Sequence, residues 1–310
     1  MSLITPNQSL FSSSLKGLVI VLTGGAQGVG RSVVEQLHAA GAKVIFGDVN
    51  DTPATKLVST LNSKATDSEE RVHFVHCDTS NYANQLVLFQ RAYNLYKRID
   101  IVIANAAIVI HKDPFTVAHE SDEAILSAPS LAEIDVNLKG LLYTTRLGLH
   151  YLRKNPTTTS PSGYKGDVVL VSSIAGFKES GGHTTYTASK HGVIGVMRGL
   201  ALEETRMVTG IEQGWADRGL PSNEAADVAN AILICATANR SIGLESEQKH
   251  EGAVLPFNGK IVYVAGGKSY EIEDRIQALE PEWLGRENSE ILEKGQEFLH
   301  SGMTSWETSK

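Results

Sequence analysis

Gly17-Leu18-Val19-Ile20-Val21-Leu22-Thr23-Gly24-Gly25-Ala26-Gln27-Gly28-Val29-Gly30 begins with five consecutive apolar residues after its first glycine and passes directly into a glycine-rich run. A continuous apolar stretch, as opposed to an alternating one, is what a strand covered by helices on both faces needs. Beyond Gly30, the apolar residues Val33, Val34, Leu37 and Ala40 recur at helical spacing. The order is therefore strand, glycine turn, helix. Glycines at such a turn let the backbone approach an anionic ligand, and the helix N-terminus offers it unpaired N–H groups and the positive end of a dipole.

The same alternation continues along the chain. Strands are predicted at Gly17–Thr23, Lys43–Asp48, Arg71–Cys77, Asp100–Ala104, Asp167–Ser172 and Lys260–Val264, with amphipathic segments between them. Repeated strand-then-helix units imply an α/β fold with a doubly wound parallel sheet. With 310 residues and 42% hydrophobic content, one large domain is expected over residues 1–267, followed by a polar helical tail over 268–310 that packs on it. The turn-rich stretch from Arg153 to Lys165 is expected to be an exposed loop.

Composition excludes several function classes. The net charge is −7, and no block of basic residues is present to bind nucleic acid or an anionic membrane. The two cysteines, Cys77 and Cys235, lack both metal-type spacing and a framework for disulfides, so no metal site is expected. The first residues carry neither a basic start nor an apolar run, and no apolar stretch is long enough to span a bilayer, so a cytoplasmic protein without membrane attachment is expected.

The polar residues that recur at strand ends bring the chemistry into view. Asp48 closes the second predicted strand, where a carboxylate accepts hydrogen bonds from the ribose hydroxyls of a dinucleotide and repels a 2′-phosphate, which favours NAD over NADP. Arg31 keeps NADP open. Asp78 and Asn105-Ala106-Ala107 follow the third and fourth strands, at carboxyl ends where open parallel sheets bind ligands. Tyr186 and Lys190 stand one helical turn apart, so the ammonium lies beside the phenol and eases its ionisation. A phenol of lowered pKa is suited to proton transfer. His183 is read as a loop residue, not as a second acid.

Thr23 to Gly30 as Thr-Gly-x-x-x-Gly-x-Gly, Asp78, Asn105-Ala106-Ala107, Asn137, Ser173 and Tyr186-x-x-x-Lys190, in that order, resemble the short-chain dehydrogenase/reductase family. The resemblance runs from about Gly17 to Leu202, with an echo in Lys260 to Gly267, and implies a Rossmann fold. It implies that Asn137, Ser173, Tyr186 and Lys190 form the catalytic set. Tyr186 would exchange a proton with the substrate oxygen that Ser173 holds, Lys190 would bind the nicotinamide ribose, and Asn137 would position a water. Thr23, Gly24, Gly28, Val29, Gly30, Asp48, Asp78, Asn105, Tyr186 and Lys190 would contact the cofactor. The expected substrate is a small secondary alcohol or ketone, and the expected assembly a homodimer or homotetramer. The segment Pro281 to Gly285 and the residues before it are similar to fungal members resembling 15-hydroxyprostaglandin dehydrogenase, some of them in secondary metabolism.

One departure stands out. The family returns from the Tyr/Lys helix through a sixth strand and a Pro-Gly turn that contacts the nicotinamide. Here the helix runs into Glu203-Glu204-Thr205-Arg206-Met207-Val208-Thr209-Gly210, which resembles the segment beyond that turn, with Thr205 at the family's nicotinamide-contacting threonine. A sheet lacking the sixth strand is therefore expected, with the Lys260–Val264 strand one candidate to fill the vacancy. The alternative to an active oxidoreductase is a catalytically impaired, cofactor-binding relative.

Overall fold

The computed structural model describes residues 2–63, 70–110, 113–116, 121–156, 165–177, 182–200, 206–209, 223–291 and 294. The chain starts with β1 (Ser2–Ile4), α1 (Gln8–Leu15), β2 (Val19–Thr23), α2 (Gly28–Ala39), β3 (Lys43–Asp48) and α3 (Asp51–Ser63). It continues through β4 (Val72–His76), α4 (Tyr82–Tyr96), β5 (Ile101–Ala104), α5 (Asp122–Ile125) and α6 (Ala132–Ile134). A π-helical turn, Asp135–Gly140, joins α6 to α7 (Leu141–Leu152), and β6 (Asp167–Leu170) and α8 (Thr184–Leu200) follow. Last come β7 (Arg206–Thr209), α9 (Ala225–Thr237), β8 (Lys260–Ala265), β9 (Lys268–Glu271), α10 (Glu273–Ala278) and α11 (Glu280–Leu284).

The sheet runs β1-β9-β8-β7-β6-β5-β2-β3-β4. The strands from β8 to β4 pair in parallel, and β9 is antiparallel to both β8 and β1. This is the doubly wound architecture expected from the apolar runs. Successive residues of β2 feed opposite cores: Ile20 and Leu22 pack with α2, α3 and α9, while Val19 and Val21 pack with α4, α7 and α8. The unbroken apolar run of β2 thus follows from burial on both faces. Helix α9 is apolar almost all round, with Val228, Ala229, Ile232, Leu233 and Ala236 buried among its residues, because it packs under the sheet against α2.

The expected vacancy is corrected. Arg206–Thr209 forms a strand between β6 and β8, pairing Val168 with Met207 on one side and Val208 with Lys260 on the other. Accordingly β8 stays one place out and does not move beside β6. The reason is backbone satisfaction, since a gap inside a parallel sheet would leave the facing N–H and C=O groups of both neighbours unpaired. The residues on either side, including Thr205 and the segment after Thr209, lie outside the described residues, as does most of the loop expected from Arg153 to Lys165.

The tail expected to be helical beyond Gly267 needs a second correction, because its first residues are a strand. Gly266 and Gly267 both have positive φ, 54° and 73°, and turn the chain from β8 into β9 with Ala265 opposite Lys268. A two-residue Gly-Gly turn is well suited to the twist of a hairpin. Helix α10 then docks on the end of α8 through a two-pronged ion pair, Arg198 Nε and a second guanidinium nitrogen to the two Glu273 oxygens, each at 3.0 Å. Among the described residues, no helix is long and apolar enough to cross a membrane.

Strand β7 has a direct test. Val208→Pro would remove a backbone donor inside a strand paired on both sides and should destabilise the protein by roughly 3 kcal/mol or more. The same change at exposed Ser127 should cost far less in a denaturant titration. Equal effects at the two positions would refute the strand.

Candidate active site

The strand order reverses between β5 and β2, and the crevice beyond their carboxyl ends is where open parallel sheets hold ligands. Here the two strand ends are stitched together. The Asn105 side-chain amide donates to the carbonyls of Thr23 (3.0 Å) and Gly24 (2.9 Å), while the backbone N–H groups of Asn105 and Ala106 donate to Thr23 Oγ1 (3.2 and 3.3 Å). In this structure Thr23 and Asn105 therefore shape the crevice.

The glycine turn has the form of a cradle. A Cβ on Gly30 would lie 1.9 Å from the Gly24 carbonyl oxygen, so only glycine lets the first turn of α2 approach the loop this closely. At Gly28, the first residue of α2, φ is +55° and no atom lies within 4 Å of where a Cβ would sit. Gln27 places no side-chain cap over this helix end, and Val29 packs inward on the core. The N-terminal N–H groups thus meet an open, glycine-walled space, which fits a pyrophosphate. Asp48 is buried at the end of β3, where its oxygens accept from Ala26 N–H (2.9 Å) and Asn50 N–H (3.0 Å). These bonds fix both the carboxylate and the glycine loop. Asp78 Oδ1 accepts from the backbone and hydroxyl of Ser80.

The other four residues converge from β6, the π-helical turn and α8. Ser173 follows β6 and is buried, its hydroxyl oxygen accepting from Ala175 N–H at 3.3 Å. Its neighbour Ser172 instead donates to the Lys190 carbonyl (2.9 Å), which spends that hydroxyl on holding α8 to β6. Tyr186 is half-buried in the first turns of α8, and the Lys190 ammonium sits 5.6 Å from its ring centroid. Lys190 is only 2% exposed, and Nζ donates to the Val171 carbonyl at 3.1 Å. Burial pushes its pKa down to about 8. His183 packs edge-on to Tyr186, with ring centroids 6.5 Å apart.

Asn137 is fully buried in the π-helical turn. Its Oδ1 accepts from Ile108 N–H (2.8 Å), and its amide donates to Ile108 O (2.9 Å) and Ser189 Oγ (3.3 Å). Ser189 in turn donates to the Tyr186 carbonyl at 2.7 Å. The sequence reading missed Ser189, and also Glu133 and Asp113, whose carboxylates accept from the hydroxyls of Thr185 and Thr184 at the start of α8. No spacing signal marks them, because their partners come from distant parts of the chain. The cysteines stand apart from the chemistry: burial raises the Cys77 thiol to about 12 and holds the Cys235 thiol well above its usual value.

The chain is similar to known proteins over most of its length. The family model described as short chain dehydrogenase matches residues 18–218. The chain is 31% identical to the short-chain dehydrogenase/reductase ascJ of Acremonium egyptiacum over 271 residues, covering 85% of this chain and 83% of the relative. It is 28% identical to the 15-hydroxyprostaglandin dehydrogenase (NAD+) of Rattus norvegicus over 197 residues, covering 64% and 65% of the two chains. A crystal structure of the NADH-dependent reductase A1-R′ complexed with NAD shares the fold, with a TM-score of 0.64 and 22% identity over 83% of this chain and 98% of the other. With the family model spanning well over half of its length, the chain belongs to the short-chain dehydrogenase/reductase family and is an oxidoreductase acting on CH–OH groups.

Proposed function

We propose that this protein interconverts a secondary alcohol and its ketone with NAD as the hydride partner, Tyr186 carrying the proton. The observation behind this reading is the burial of Lys190 against Tyr186, on a helix packed against the turn that buried Ser173 caps, at the carboxyl ends of the parallel strands. A desolvated ammonium next to a phenol stabilises the phenolate, which is the form that takes a proton from an alcohol. The Ser173 hydroxyl would hold the reacting oxygen, and Asn137 would keep Tyr186 in place through Ser189.

The cofactor cradle fits a dinucleotide. Gly24, Gly28, Val29 and Gly30 would surround the pyrophosphate at the α2 N-terminus, with Thr23 and Asn105 below it, Asp48 at the adenosine ribose and Asp78 toward the adenine. When bound, NAD supplies hydride transfer at its nicotinamide ring. NAD is favoured over NADP because the Asp48 carboxylate, pinned by Ala26 and Asn50, would repel a 2′-phosphate, while the Arg31 guanidinium is engaged by Glu35 at 2.9 Å. Ile108 and Val109, on the loop anchored by Asn137, are 38% and 45% exposed and offer apolar surface to the body of a substrate. The catalytically impaired alternative is motivated by a missing strand and a missing Pro-Gly nicotinamide turn, and β7 supplies a strand at the first of these places.

Three outcomes test this function. With NAD(H) and a panel of secondary alcohols and ketones, Tyr186→Phe should lower turnover by about 10² to 10⁴ in the nicotinamide absorbance assay, and unchanged turnover would remove Tyr186 from the chemistry. Asp48→Ala should weaken NAD and improve NADP relative to it, and a Kd ratio that does not move would count against the ribose assignment. Lys190 gives the pH dependence. Below about pH 8 it is protonated in both folded and unfolded chains, so folding bears the full desolvation penalty. Between that value and about 10.4, only the unfolded chain holds the proton, and stability from this group rises with pH. Near neutral pH, Lys190→Met should therefore be more stable than wild type by up to roughly 3 kcal/mol while losing turnover, with the gap closing toward pH 10. A variant no more stable than wild type would show that the ammonium is not penalised by its site.

A further inference from the structure

We propose that Glu133 and Asp113 are positioning residues for Tyr186, clamping the first turn of α8 to the loop after β5 so that the phenol stays against Lys190. This rests on the acid–base role proposed above for Tyr186.

Thr184 and Thr185 immediately precede Tyr186, and each is held by a buried carboxylate from another part of the chain. Thr185 Oγ1 donates to Glu133 Oε2. Thr184 donates to Asp113 Oδ2 through both its N–H (2.8 Å) and its hydroxyl (2.7 Å). Glu133 Oε1 also accepts from Ile110 N–H at 2.7 Å. Asn137, one helical turn beyond Glu133, grips Ile108 in the same way and reaches α8 through Ser189. Side chains four residues apart therefore hold alternate residues of one loop, Ile110 and Ile108, and tie both to α8 at positions 185 and 189, on either side of Tyr186.

The energetics favour a specific role for Glu133. It is 2% exposed, and its hydrogen-bond donors, a backbone amide and a hydroxyl, are neutral. Burying a carboxylate among neutral donors is costly, and an apolar residue would pack there at less cost. What the carboxylate adds is two charge-assisted bonds whose directions set the helix start relative to the loop. Carboxylates at the first turn of a helix also suit its dipole. At Asp113, burial pushes the carboxyl up, but hydrogen bonds from the Thr184 N–H and hydroxyl and from Phe115 N–H, with nearby His183, bring it below its ordinary value.

The test reads the Tyr186 phenol directly. Tyrosinate absorbance is titrated in the full-length protein with NAD bound, and the Tyr186→Phe titration is subtracted. Lys190 and His183 are ionisable groups packed against the ring, and the two carboxylates are linked to it through the preceding residues Thr184 and Thr185. Removing the Glu133 charge by itself would favour the phenolate and lower the phenol pKa, whereas loss of positioning would raise it, so the two effects have opposite signs. Glu133→Ala should raise the phenol pKa by about one unit. Glu133→Gln, whose amide can still accept from Ile110 and donate to Thr185, should bring it back to or below the wild-type value. If Glu133→Ala does not fold, Thr184→Val, which deletes one Asp113 bond and leaves the backbone one, should shift the pKa in the same upward direction by less. A phenol that stays put or falls in Glu133→Ala or, failing that, in Thr184→Val overturns the clamp. A wild-type titration in which Tyr186 ionises no lower than an ordinary tyrosine overturns the acid–base role and the clamp with it.

Discussion

Where the strand order reverses between β5 and β2, two parallel backbones diverge and their terminal polar groups lose the ladder that would have satisfied them. The rest of the site depends on how this is resolved. Asn105 and Thr23 bridge the divergence with four hydrogen bonds, which keeps the crevice open and its walls fixed. With those walls fixed, the Gly24 carbonyl can lie against the first turn of α2, and the helix N-terminus opens onto the crevice. An anionic cofactor then meets donors that are already oriented, so little ordering cost remains when it binds.

The wall that carries Tyr186 and Lys190 is built under a harsher constraint. An ammonium has to be brought out of water to sit beside the phenol, and its lowered pKa registers the penalty. The surrounding structure bears that penalty by over-determining the helix that carries both residues. Ser172 holds the Lys190 carbonyl, Asn137 reaches the Tyr186 carbonyl through Ser189, and Arg198 locks the far end of α8 to Glu273. The ends of the chain contribute as well. The β8–β9 hairpin carries α10 to that ion pair, and β1 covers the edge of β9 that would otherwise be left open. The termini of the described chain thus brace the same helix that the site depends on.

The six predicted strands all form, with boundaries shifted by at most two residues, and the three read from continuous apolar runs, β2, β5 and β6, are buried at every position, as strands covered on both faces must be. The glycine turn was equally legible, since close approach of α2 leaves no alternative to Gly30. The β8–β9 hairpin was legible in principle: Gly266-Gly267 lies between Val-Tyr-Val-Ala and Lys-Ser-Tyr-Glu, but the polar residues drew the reading toward a helix. Strand β7 was not legible. Four residues, Arg-Met-Val-Thr, are too few to show a period, and what makes them a strand is the pair of unsatisfied edges on either side.

By itself, the sequence determined the doubly wound sheet, the glycine cradle and the identity of the residues at the strand ends, since each of these follows from local periodicity or from a residue type that no other can replace. Only the tertiary structure decided which strand fills the place beside β6, and that Glu133, Asp113 and Ser189 belong to the network around Tyr186. The physical reason is the same in both cases. A backbone edge or a buried polar side chain is stable only when its partner is supplied, and here the partners come from segments far away along the chain.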